Sequence, residues 1–244
     1  MQMIGLGTIV NSAAIVGGGL VGLLCGKALS GRFQKTILAG MAACVIFTGI
    51  AGTLQEMLRV LPNGKFEVHG AMMMVVSLAV GALLGEALSL DDHFERFGEW
   101  LRRVTRNQKD FAFVNAFITA SLTVCVGAMA IVGSIEDGCS GTHDILFLKA
   151  ALDCVIVMVM AAAMGKGAIF SAIPVFVLQG TVTLLARFLS SVLTPAALSN
   201  LAYVGNILVF CVGWNLINGK KRIRVVNLLP ALLIAVIWAF AVGS

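Results

Sequence analysis

Asp153 is the residue in this chain most able to do chemistry. It stands inside a long apolar run, at the end of the stretch Lys149-Ala-Ala-Leu-Asp153. An ionised group at such a position is costly unless it is paired or hydrated, so it must face other protein groups. Two roles are open. Asp153 is either half of a structural ion pair with Lys149, one helical turn before it, or a coupling or binding group for an ion or small solute. Gln179, Asn11 and Asn206 are its expected neighbours, with Asn115 and Glu86 as further substrate- or ion-binding candidates. Ser12, Thr48, Thr119, Ser121, Thr123, Thr181 and Thr183 also interrupt apolar runs. For any single hydroxyl among them, gluing one helix to the next is the plainer role. Pro174 lies shortly before Gln179 and Pro230 shortly after Asn227. Each proline frees a carbonyl one turn upstream and is expected to break its helix, a feature often found at transporter binding sites.

Other chemistries find less support. The stretch Gly133-Ser-Ile-Glu-Asp-Gly-Cys-Ser-Gly-Thr-His-Asp144 gathers Glu136, Asp137, Cys139, His143 and Asp144. Their spacing matches no zinc or calcium template, and the segment reads as an acidic external turn or vestibule with no metal. No H-E-x-x-H, G-x-S-x-G or phosphate-binding glycine loop occurs, so no enzymatic activity and no cofactor are expected. Cys25, Cys44, Cys125, Cys139, Cys154 and Cys211 form no C-x-x-C pair and read as small buried apolar residues.

The elements that hold these groups follow from composition. The 244 residues are 59% hydrophobic and 12% charged, with a mean hydropathy of +0.98. A water-soluble surface cannot be covered with so few charges, whereas a bilayer accepts helices of about 20 apolar residues. The apolar runs are continuous and do not alternate with a period of two, which excludes a barrel. The fold class is therefore all-α: a polytopic transmembrane bundle of about eight spans forming one domain over 1–244. The expected helices cover 4–25, 36–54, 70–90, 113–133, 145–164, 168–189, 201–217 and 225–242, and the Gly165-Lys166-Gly167 boundary is the weakest. Met1 to Thr8 carries no basic residue, and the run behind it reaches Lys27 without a cleavage site, so a removed signal peptide is not expected.

The net charge of +5 does not point to nucleic acid. Of the seventeen Lys and Arg, all but Arg59, Lys65, Lys149 and Arg187 lie in the first, third, fifth and seventh connections. The positive-inside rule puts those connections in the cytoplasm and both termini outside, with lipid headgroups as partners of the basic loops. One long connection carries Phe94, Phe97, Leu101 and Val104 at helical spacing opposite Glu95, Glu99, Arg102, Arg103 and Arg106. It predicts a short amphipathic helix at about 91–106 on the cytoplasmic surface.

Glycine spacing adds an expectation about packing. Gly18, Gly22 and Gly26 form one ribbon, and Gly81 and Gly85 a second. Small residues so spaced let helix backbones approach closely, within one subunit or between subunits, and a homo-oligomer joined through a glycine face is expected. The segment 19–29 resembles 80–88, and the segment 45–54 resembles 208–216, a pattern consistent with an inverted repeat.

Four segments together resemble a prokaryotic membrane family known as domain of unknown function 554. They are Gly7-Thr-Ile-Val-Asn11 leading to Gly17-Gly18-Gly19; Gly127-Ala-Met-Ala-Ile-Val-Gly-Ser-Ile-Glu-Asp-Gly138; Lys149-Ala-Ala-Leu-Asp153 leading to Ser171-Ala-Ile-Pro174 and Gln179-Gly180; and Val226-Asn-Leu-Leu-Pro-Ala-Leu-Leu233. The likeness spans essentially the whole chain, with a departure at Ala128, where many members are expected to carry proline. It implies a bacterial or archaeal inner membrane and a transport role, without a substrate. Together with the buried polar residues it favours a transporter or channel for a small solute or ion. A non-transporting membrane scaffold or regulator is the alternative, with an intramembrane enzyme behind both.

Overall fold

The computed structural model describes residues 4–28, 30–105, 112–125, 128–186, 194–218 and 223–242. Helices α1 (Leu6–Ala28) and α2 (Gly31–Met57) come first, followed by strands β1 (Leu58–Val60) and β2 (Phe66–Val68). Then come α3 (Ala71–Ala87), α4 (Leu90–Val104), α5 (Phe113–Cys125), α6 (Ala128–Ser140) and α7 (Asp144–Met164). A 3-10 turn (Lys166–Ser171) leads into α8 (Ala172–Leu184); α9 (Pro195–Ile217) follows, then a second 3-10 turn (Val225–Leu228) and α10 (Pro230–Val242). The fold is all-α, and among the described residues the one exception is a small antiparallel hairpin, in which Leu58 faces Val68 and Val60 faces Phe66. That hairpin was not foreseen. Its strands are only three residues each, too short for the alternation that signals a strand.

Four described helical segments are long and apolar enough to cross a membrane: Leu6–Gly26, Asp144–Met164, Lys166–Leu184 and Pro195–Ile217. The number rises to six if α3 with α4, and α5 with α6, each count as one bent span. Shorter apolar helical stretches cover Ala42–Met57 and Val225–Ala241. The expected eight is reached only by counting both the bent pairs and these shorter stretches as spans.

The described residues divide into two compact units. The first joins α1, α2 as far as Ala42, α4 from His93, α5, α6 from Met129, α7, the first 3-10 turn and α8. Its core holds Ile15, Ala120, Val124, Val157, Met160, Ala168 and Val175. The second joins α2 from Ala43, the hairpin, α3, α9, the second 3-10 turn and α10. Its core gathers Met73, Tyr203, Val204, Ala231 and Ala235. The expected amphipathic helix is α4. Phe94 and Phe97 meet Phe117 of α5 with ring centroids 6.1 and 5.8 Å apart. Leu101 and Gly98 are buried, while Trp100 and Val104 remain exposed.

Several expectations need correction. The single helix over 113–133 is two helices, and α6 runs on to Ser140 through the supposed external turn. Neither proline breaks a helix interior. Pro174 lies in the first turn of α8 and Pro230 opens α10, positions where an absent N–H costs nothing. The break between α7 and α8 comes instead at Gly165, whose φ of +95° suits glycine. The cysteines are not uniformly buried: Cys211 is, whereas Cys25, Cys44 and Cys139 are exposed. On apolar helices Cys25 and Cys44 lose nothing by facing lipid.

The glycine ribbon of α1 is used inside the chain. A Cβ at Gly18, Gly22 or Gly26 would strike the backbone carbonyl of Cys154, Met158 or Ala162, all on α7. Likewise Gly81 and Gly85 of α3 lie on the backbone of Ala231 and Asn227. An oligomer would have to use other faces. Gly22→Leu is expected to destabilise the monomer by about 1–3 kcal/mol or more. Gly17→Leu, at a site with nothing within 4 Å of an added Cβ, should be near neutral. Thermal unfolding of the two variants in mild detergent measures the difference.

Candidate functional site

The polar residues of the first unit lie along one face of α1. Thr8, Asn11, Ile15, Gly18, Gly22 and Gly26 recur every three or four positions, so they share a helical stripe. The glycine half of that stripe brings α1 onto the backbone of α7. The polar half, Thr8 and Asn11, is thereby buried as well, at 2% and 0% exposure. Across from it stand Gln179 and Thr183, one turn apart on α8, and Lys149 and Asp153, one turn apart on α7; all four are buried.

These groups form one connected network. Lys149 Nζ donates to Asp153 Oδ1 at 3.0 Å and lies 2.8 Å from Oδ2. It also donates to the carbonyl oxygen of Val124 at 2.8 Å. That carbonyl lies in the last turn of α5, where helix ends leave oxygens without backbone partners and the dipole favours a cation. Asn11 Nδ2 donates to Asp153 Oδ2 at 3.1 Å and to Gln179 Oε1 at 3.3 Å. One turn away on α1, the Thr8 and Thr183 hydroxyls meet at 3.4 Å. Two atoms of this network, Asn11 Oδ1 and Gln179 Nε2, are buried without a hydrogen-bond partner among the described residues, as are Ser12 Oγ on α1 and Ser121 Oγ on α5. In hydrocarbon each such atom is expensive, so the network is built but incomplete.

A second cluster closes the end of α1. Asp137 of α6 is fully buried, and its Oδ1 accepts the Gly5 N–H at 3.0 Å. A carboxylate there caps the first turn of α1 and opposes the positive end of its dipole. His143 Nδ1 stands 3.0 Å from the same oxygen, while Asp137 Oδ2 and the Ser134 hydroxyl are buried with no hydrogen-bond partner among the described residues. Gly138 lets α6 approach the Thr183 carbonyl of α8. Polar groups therefore continue from the amino end of α1 through Thr8 and Thr183 to Asn11, Gln179 and Asp153.

Of the expected neighbours of Asp153, Asn11 and Gln179 join it. Asn206 belongs to the second unit, where its amide fills the notch at Gly52. Asn115 is exposed on α5. Glu86 is exposed in the second unit, paired with Arg224 at 2.9 Å and accepting from Asn227 Nδ2 at 2.6 Å. Asn227 Oδ1 in turn accepts the Asp91 N–H at 2.7 Å, which ties α3, the start of α4 and the second 3-10 turn together. Sequence reasoning missed Asp137, because the segment read as a turn. Its signal was Ser134 and Asp137 at helical spacing, flanked by Gly133 and Gly138. The Val124 carbonyl has no sequence signal at all.

A family model described as "Protein of unknown function (DUF554)" matches residues 6–240. The chain belongs to this family. Two relatives cover nearly the whole of it. "Uncharacterized membrane protein YdfK" of Bacillus subtilis (strain 168) is 28% identical over 238 residues, 98% of this chain and 97% of the relative. "Uncharacterized protein YqgA" of Escherichia coli (strain K12) is 27% identical over 234 residues, 94% of each. No solved structure matches the chain. The family, the printed name of the first relative and the apolar helices agree on a membrane protein.

Breaking one side of the buried pair should be costly. Lys149→Met strands the Asp153 carboxylate, with an expected loss of about 3–5 kcal/mol. The double change Lys149→Met with Asp153→Asn should recover most of that loss, as read by thermal unfolding in detergent.

Proposed function

We propose that this chain is a multi-pass transporter or channel of the cell's inner membrane, passing a small solute or ion through the buried polar network of its first unit. The observation that supports this most directly is Asn11 and Gln179, 0% and 1% exposed. Each keeps an unpartnered polar atom beside the Lys149–Asp153 pair. A purely structural network gains stability by closing all its hydrogen bonds, whereas a binding site keeps some for its ligand. The polar groups leading from Asp137 through Thr8 and Thr183 give that ligand an approach along α1. In this reading the end of α5 acts as a broken helix within the bundle, with Lys149 holding its carbonyl end.

One specific observation favours the scaffold reading. Lys149 is held by both Asp153 oxygens and by Val124, which suits a permanent pin between α5 and α7. Flux measurement separates the two. In reconstituted vesicles, Gln179→Leu should still fold, losing only the Asn11 bond, and should lose solute or ion flux, because the Lys149–Asp153 pair and the Lys149 bond to α5 do not depend on Gln179. Normal flux in a folded Gln179→Leu protein, with Asp153→Asn harmful only to folding and rescued by Lys149→Met, would leave the scaffold reading standing.

The same proposal assigns no enzymatic role and no nucleic-acid partner. It places the basic connections against cytoplasmic lipid headgroups, both termini outside, and a homo-oligomeric contact on faces other than the glycine ribbons. An impermeant thiol reagent added outside should label Cys139 and spare a Lys220→Cys variant. The reverse pattern would invert the topology.

A further inference from the structure

We infer that the ligand taken at the vacant amide atoms of Asn11 and Gln179 is a small uncharged molecule that both donates and accepts hydrogen bonds, not a bare cation or anion. The inference rests on the binding-site reading above and names the chemical class that site would take.

The argument starts from charge. Asp153 and Lys149 are in direct contact and cancel. An entering cation meets a carboxylate already paired and an ammonium facing it, and an entering anion meets the reverse. Low dielectric makes both encounters worse. The neighbouring groups are amides and hydroxyls, which carry no charge to offset that of an ion.

Hydrogen-bond polarity carries the argument further. A carboxylate paired with an ammonium only accepts, so the Asn11 atom at Asp153 Oδ2 must be its NH2 group. The second N–H of that group reaches Gln179 at 3.3 Å, and the Gln179 atom receiving it must be the carbonyl oxygen. The orientation of both amides is thereby fixed by the ion pair, and their remaining atoms are determined. Asn11 Oδ1 is left as a vacant acceptor and Gln179 Nε2 as a vacant donor. A ligand that satisfies Asn11 Oδ1 must donate, and one that satisfies Gln179 Nε2 must accept. A metal cation can only fill the first vacancy and leaves the amide N–H groups facing it. An amide, a urea-like molecule or a small alcohol fills both.

Acetamide is the probe. Full-length protein in detergent, with its Asn and Gln side chains labelled with 15N, is titrated separately with acetamide, sodium chloride and potassium chloride, and the side-chain amide signals are followed by NMR. The Gln179 signal is assigned by its loss in Gln179→Glu, or in Gln179→Met if the first variant does not fold. The expected result is a saturable shift of the Asn11 and Gln179 signals with acetamide and none with either salt. In Gln179→Met the half-saturating concentration, read at Asn11, should rise about tenfold, the worth of one hydrogen bond. Shifts with a salt and not with acetamide would overturn the inference. So would the absence of any shift, which would mean that ordered water alone fills the two vacancies. Saturable acetamide binding without flux in vesicles would remove the transport reading and leave this inference intact. Cation flux without acetamide binding would do the opposite.

Discussion

A lysine and a carboxylate buried in an apolar bundle constrain everything around them. Lys149 and Asp153 sit one turn apart on α7, so their own helix supplies the pairing, but a single contact cannot satisfy all their donors and acceptors. The remaining Lys149 donor reaches the end of α5. The remaining carboxylate capacity takes Asn11 from α1, and Asn11 brings Gln179 of α8. Four helices thus meet around the pair that α7 carries, α5 and α1 bonding it directly and α8 joining through Asn11. Breaking such a pair on one side is far more damaging than replacing it whole, so its retention does not by itself signal stability. What it does supply is orientation, because the amides beside it can point only one way.

Close backbone approach is what makes that meeting reachable. Asn and Gln have short side chains, and α1 must lie almost against α7 for Asn11 to touch Asp153. Gly18, Gly22 and Gly26 provide that approach further along the same stripe. Packing and polarity are therefore two halves of one helical face, glycine where backbones meet and hydrogen-bonding residues where side chains meet. The second unit uses a related construction with different contents. Gly81 and Gly85 seat α3 on the backbone around Ala231 and Asn227, and again a 3-10 turn precedes a helix with proline in its first turn. Its polar cluster joins exposed Glu86 and Arg224 to buried Asn227, which also accepts the Asp91 N–H.

The sequence made a good part of this legible, and the limits have physical causes. Asp153, Lys149, Asn11 and Gln179 stood out because a polar residue in an apolar run has few places to go. Nothing comparable separates Asn11 from Asn206, since both are amides in apolar helices, and only the tertiary fold puts one at Asp153 and the other at Gly52. Asp137 was misread because a charged, glycine-containing stretch between apolar runs resembles a turn. In the structure those glycines admit neighbouring helices, and the carboxylate is capping α1. The prolines misled for a related reason. A proline in an apolar run signals a kink only when it lies in a helix interior, and where the helix starts is the part of the pattern a sequence shows least well. The Val124 carbonyl lies outside any such reading, because backbone carries no residue-type signal.

The proposed binding role rests on the incomplete hydrogen bonding of this network. Within a membrane, a buried donor or acceptor without a partner has no nearby water to fall back on. Asn11 Nδ2 is shared between Asp153 Oδ2 and Gln179 Oε1, so a single bond joins the two amides. Asn11 Oδ1 and Gln179 Nε2 stay without a partner among the described residues, one acceptor and one donor beside a pair of zero net charge. A charge-neutral pair that orients amides and leaves them unsatisfied is suited to recognising molecules by hydrogen bonding alone.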